Sequence, residues 1–115
     1  MNVKALILGA FGMLSLLAGP AHGGWKEIER RDAYQIVVIN KKDTTKVRVF
    51  WEALRKVCSQ SFCNVVFFSE GTPIPEPGKR LAHEDLNRAL LIYTTNKGFA
   101  WNCQVYPNAD NCFRK

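Results

Sequence analysis

Four cysteines, Cys58, Cys63, Cys103 and Cys112, are the residues best equipped for chemistry in this 115-residue chain. An even number of thiols supports two disulfides in an oxidising compartment or a four-thiolate zinc site. Such zinc sites are built on paired C-x-x-C knuckles. Here four residues separate Cys58 from Cys63 and eight separate Cys103 from Cys112, so the spacing favours disulfides. Four cysteines allow three pairings, of which 58–63 with 103–112 is preferred. Cys58 falls near the end of an expected helix, and Cys63 lies just past Phe62. Those two positions touch in a common helix ending, and a bridge there would hold a tight turn. Cys103 and Cys112 face one another if a hairpin turns near Pro107-Asn108.

Other chemistry is sparse. His83 stands beside Glu84 and Asp85, but adjacent helical positions point in different directions and do not converge. The acidic pair suits the first turn of a helix instead. Glu52 and Glu84 are a conceivable carboxylate pair, as almost any chain of this size would offer. No C-x-x-C redox motif, phosphate-binding loop or G-x-G-x-x-G dinucleotide fingerprint is present. The expectation is a protein that is not an enzyme, with no metal, no cofactor and no small-molecule substrate.

Charge and rigidity point toward partners. The chain holds 16 Lys and Arg against 10 Asp and Glu. Lys41, Lys42, Lys46 and Arg48 cluster in sequence, and Lys79-Arg80 follow a proline-rich loop, Gly71 to Arg80. A positive face of this kind can meet an acidic protein, anionic lipid or nucleic acid. Nucleic acid is not expected, because export removes the chain from it and because Trp51 and Trp101 have core-like spacing. Ile74, Pro75, Lys79 and Arg80 on the loop, with Lys41, Lys42, Lys46 and Arg48, are the expected partner-binding residues. The prolines lower the entropy cost of binding through that loop.

These residues are positioned by a simple series of elements. Residues 1–23 read as a secretory signal peptide: a basic start at Lys4, an apolar run from Ala5 to Leu17, then small residues. Cleavage after Gly23 places Ala21 at the −3 position; cleavage after Ala21 and an uncleaved anchor are the alternatives. The expected mature chain, 24–115, is one α+β domain, periplasmic or secreted, with no later membrane span. Trp25 to Asp32 reads as an edge strand or an arm. Tyr34 to Ile39 is rich in β-branched residues and reads as a strand. Lys46 to Gln60 reads as a helix with Val47, Phe50, Trp51, Leu54, Val57 and Cys58 on one face, although Lys46–Phe50 also alternates like a strand. Cys63 to Phe68 is apolar on both faces, hence a central strand. His83 to Thr94 reads as a second helix, terminated by a left-handed Gly98. Phe99 to Tyr106 and Asn111 to Phe113 read as strands. Two helix–strand units would then pack on a mixed sheet of about three to five strands.

The segment Ala53-Leu54-Arg55-Lys56-Val57-Cys58-Ser59-Gln60-Ser61-Phe62-Cys63-Asn64-Val65-Val66-Phe67 resembles the first helix and strand of the secretin and TonB short N-terminal domain family. Leu86, Ala89-Leu90 and Gly98-Phe99-Ala100-Trp101 are similar to that family's second unit. The resemblance spans about Tyr34 to Tyr106. Phe62 departs from the family's glycine, Thr94 replaces an apolar position, and four cysteines are foreign to the pattern. The resemblance implies a non-catalytic docking module of the bacterial envelope, here a small periplasmic subunit or adaptor of a secretion, pilus or conjugation apparatus. A secreted inhibitor or effector that blocks another protein through the proline loop is the alternative.

Overall fold

The structure is a computed structural model that describes residues 23–31, 34–58, 62–76 and 79–115. The expected leader lies outside the described residues, apart from Gly23. Six strands form one sheet in chain order: β1 (Trp25–Arg31), β2 (Tyr34–Ile39), β3 (Asn64–Ser69), β4 (Leu91–Thr94), β5 (Gly98–Asn102) and β6 (Cys112–Arg114). β1–β2, β3–β4 and β4–β5 are antiparallel, while β2–β3 and β5–β6 are parallel. The fold is α+β on a mixed sheet, with more strands than the sequence suggested.

Parallel neighbours need a crossover, and α1 (Val47–Val57) supplies it between β2 and β3. Its start matches the helical reading, so Val47–Phe50 is not a strand, while it ends at Val57, short of the expected Gln60, which lies outside the described residues. The buried face is rotated from expectation: Val49, Phe50, Ala53, Leu54 and Val57 point inward, while Val47 and Trp51 are 49% and 45% exposed. Phe50, Leu54 and Val57 keep the expected period. Ala53 and Val49 complete the stripe because their smaller side chains let the helix lie close to the sheet over β1 and β2.

The period-two pleat divides the core between the sheet's faces. Val37, Ile39, Val65, Phe67 and Leu91 meet α1 on one face. Ile36, Val66, Phe68 and Ala89 lie on the other, covered by Ile74, Leu81 and Leu86. β3 is therefore central and buried on both sides, as its unbroken apolar run implies.

The second helix–strand unit requires correction. α2 covers only His83–Asn87, and Leu91–Thr94 is a strand rather than the end of a helix. Ile92, Tyr93 and Thr94 are β-branched or aromatic and pack better on a pleated surface than in a helix. Buried Asn102 secures the early stop: its Nδ2 donates to the carbonyls of Asn87 and Ala89 at 3.2 and 2.9 Å. Gly98 is left-handed as expected, with φ +74°. It closes the β4–β5 hairpin, a short turn that takes such a residue, rather than a helix.

Both preferred disulfides form, Cys58–Cys63 and Cys103–Cys112, with Cα separations of 5.7 and 5.6 Å. Their settings differ from expectation. α1 ends at Val57, so Cys58 is itself the cap, its N–H donating to Leu54 O at 2.9 Å. Cys103 and Cys112 do not face across a hairpin, since β6 runs parallel to β5. The nitrogens of Val105 and Tyr106 both bond Asn102 O, lifting the chain off the sheet before it returns beside Trp101. No helix among the described residues is long and apolar enough to cross a membrane.

Candidate functional site

The segment from Asn40 to Phe50 separates two hollows. It begins with a short 3-10 turn, Lys41–Asp43, and passes through Thr44 and Thr45 into α1. On one side lies an apolar groove of about 310 Å³, lined by Thr44, Thr45, Val47, Phe50, Trp101, Tyr106 and Ala109. On the other lies a polar hollow of about 530 Å³, whose lining includes Lys42, Asp43, Lys46 and Arg48. Val47 borders the first, and its neighbours Lys46 and Arg48 border the second.

The groove is aromatic because α1 leans toward β1 and β2, leaving the β4–β5 end of that face to be covered by rings. Phe50 and Tyr106 each meet Trp101 edge-on, with centroids 5.8 and 5.0 Å away. Phe99 meets Trp51 at 4.7 Å and Tyr93 at 5.4 Å. Tyr106 belongs to the excursion held by the Cys103–Cys112 bridge, and its hydroxyl donates to Thr44 O at 2.6 Å. That bond ties the excursion to the far wall. Burial pushes the Tyr106 phenol up to about 12, because the anion would lose its water.

The polar hollow is basic at its rim and anchored within. Asp43 is buried, and its carboxylate pairs with Lys46 Nζ at 2.9 Å. Gly24 packs against the same group: a Cβ there would lie 3.0 Å from Val49 Cγ1 and 3.1 Å from Asp43 Oδ2. Three cations thus line the hollow with one carboxylate, which Lys46 pairs. α1 begins at Val47 after Lys46, with no side-chain cap and no acid in its first turn. Cations at a helix N-terminus oppose the macrodipole, so this charge does not serve the helix.

Of the expected contact residues, Lys42, Lys46 and Arg48 are gathered at this hollow, and exposed Lys41 adjoins them. Lys41 N–H is held by Glu70 Oε1 at 3.0 Å. Ile74, Pro75, Lys79 and Arg80 are not part of this group. Ile74 packs on the opposite face of the sheet, so the described part of the loop lies against the sheet there. Pro75 is half-buried, while Lys79 and Arg80 are exposed.

His83 and Glu84 are exposed, whereas Asp85 is buried, accepting from Ala82 N at 2.8 Å and pairing with Arg88. Glu52 and Glu84 sit on helices packed against opposite faces of the sheet. Among the described residues no group of three or more His, Cys, Asp or Glu could hold a metal ion. β1 is an outer strand, but a register shift at Ile28 and the charges of Lys26, Glu27, Glu29 and Arg30 interrupt its edge. Bulges and charges of this kind discourage strand addition.

Sequence reasoning missed the groove. Thr44, Trp101, Tyr106 and Ala109 come from three separated segments, and no periodicity joins them. Trp51 has core-like spacing but lies at the exposed edge of the ring cluster. Comparisons with protein-family models, curated proteins and solved structures find no match to this chain.

Proposed function

We propose that this chain is an exported, non-catalytic protein-interaction module, a small periplasmic subunit or adaptor of a bacterial envelope apparatus. The observation that carries this reading is the pairing of an apolar aromatic groove with a basic hollow on either side of residues 40–50. Interfaces combine buried aromatic anchors with a polar rim. The two disulfides support export, because such bonds persist in oxidising compartments. The helix-then-strand build of α1 and β3 agrees with the resemblance of that segment to the secretin and TonB short N-terminal family. The second stretch quoted for that resemblance is built otherwise, as a short helix followed by a hairpin.

The test is affinity capture of the tagged protein, crosslinked in the cells that make it and read by mass spectrometry. Recovery of secretion, pilus or conjugation components is the expected result. Recovery of a single soluble enzyme would replace this reading with the inhibitor one, and the proline loop would be the contact to examine.

A further inference from the structure

We propose that residues 40–50 are a two-sided docking ridge for a partner segment that carries acidic residues beside one large apolar side chain. The inference rests on the interaction-module reading and adds the partner's chemistry to it. The argument begins with adjacency. Lys46, Val47 and Arg48 are consecutive, and successive Cα atoms lie about 3.8 Å apart. Yet Val47 lines the apolar groove while Lys46 and Arg48 line the basic hollow. A single short peptide crossing the ridge reaches both.

Each side selects one chemistry. The groove has a floor of Phe50, Trp101 and Tyr106 and a volume of about 310 Å³, which suits one bulky anchor such as an indole or a leucine side chain. Its Tyr106 hydroxyl is already committed to Thr44 O, so that group favours an apolar occupant. The hollow presents Lys42, Lys46 and Arg48 against the one carboxylate of Asp43, which is held by Lys46. The uncapped start of α1 adds positive potential at the same place. Charge complementarity therefore assigns carboxylates to the partner on that side. An aromatic or aliphatic anchor in a desolvated pocket, ringed by charge pairs, is the usual division of labour in a tight contact.

The experiment uses the protein as exported and oxidised by the cell, 15N-labelled, with backbone and indole N–H signals followed by NMR. The probe is a hexapeptide, acetyl-Glu-Asp-Glu-Trp-Asp-Glu-amide. Two controls accompany it: the same peptide with every acid changed to its amide, and one with Trp changed to Ala. The expected result is saturable shifts at residues 40–50 and at the Trp101 indole. Either control should bind about tenfold more weakly or worse, a change of about 1.4 kcal/mol, and raising the salt should weaken the acidic peptide. K42E/R48E should cost at least as much affinity while leaving the melting temperature unchanged or raised, since it removes cations from a helix N-terminus.

Equal binding of the amide control would overturn the proposal. So would shifts confined to a second apolar hollow, at Ile92, Ala100 and Phe113. Displacement of the peptide by phosphatidylglycerol vesicles, at equal or lower concentrations of anionic groups, would reassign the ridge to a lipid surface. If cellular capture yields an envelope partner while the peptide leaves residues 40–50 unmoved, the interaction reading stands and this surface is wrong.

Discussion

At the residue scale, single side chains close the gaps that the elements leave. Gly24 has φ +97° and lies against Val49 and Asp43. Alanine there meets a crowded wall, and a left-handed backbone as well wherever Gly23 remains attached. Gly24→Ala should destabilise by roughly 1–2 kcal/mol, measured by urea unfolding. Asn102 supplies the carbonyls at the end of α2 with donors and accepts from Gln104 N at 3.0 Å. Asn102→Ala removes the Nδ2 donor from the buried Ala89 carbonyl, while Asn87 O keeps Arg114 Nη1 at 2.7 Å, and should cost about 1–3 kcal/mol in the same assay.

Tyr106 carries a pH signature. Its folded-state pKa stands near 12 against the ordinary 10. The stability associated with the neutral phenol is therefore fully present below about pH 10 and is lost as pH rises toward 12. Absorbance titration near 295 nm should show a tyrosinate component near pH 12 that is missing in Tyr106→Phe. None of these three roles could be read from the sequence. Each depends on a neighbour brought from a distant segment, whereas the disulfide partners lie close along the chain and were legible.

At the element scale, the readings that succeeded rest on strong local patterns. α1 has good helix formers from Glu52 to Lys56 and a repeating apolar stripe. β2 and β3 have dense β-branched or aromatic runs. The reading that failed, a helix from His83 to Thr94, weighed the period of Leu86, Ala89, Leu90 and Tyr93 above the composition of Leu91–Thr94. Tertiary pairing decided the matter: Val66 stands opposite Ile92 and Val65 opposite Tyr93, while β5 flanks β4 on its other side. The bridges act at this scale too, one at the junction of α1 and β3, the other tying β6 to the end of β5. Cys58→Ser with Cys63→Ser should lower stability by about 2 kcal/mol, as a short closed loop implies. Four free thiols in a titration of the purified native protein would remove the basis for that expectation.

At the scale of the whole molecule, one broad sheet has its two faces covered unequally. α1 and the ring cluster cover the first face, and α2 with Ile74 and Leu81 covers part of the second. The aromatic groove follows from this architecture. A helix of 11 residues lying over β1 and β2 cannot also cover β4 and β5, so rings and the disulfide-bound excursion fill the remainder. The basic residues flank the same helix start. The sequence showed the charge cluster and the aromatics but not their meeting, because the contact is made across the sheet.

The most direct test of this account places a photocrosslinking amino acid at Val47 in one variant and at Ile74 in another, expressed in the cells that make the protein. The account predicts an adduct from position 47 with an envelope protein, mapping to an acidic stretch with a large apolar residue, and little from position 74. A strong adduct from position 74 with none from position 47 would contradict it.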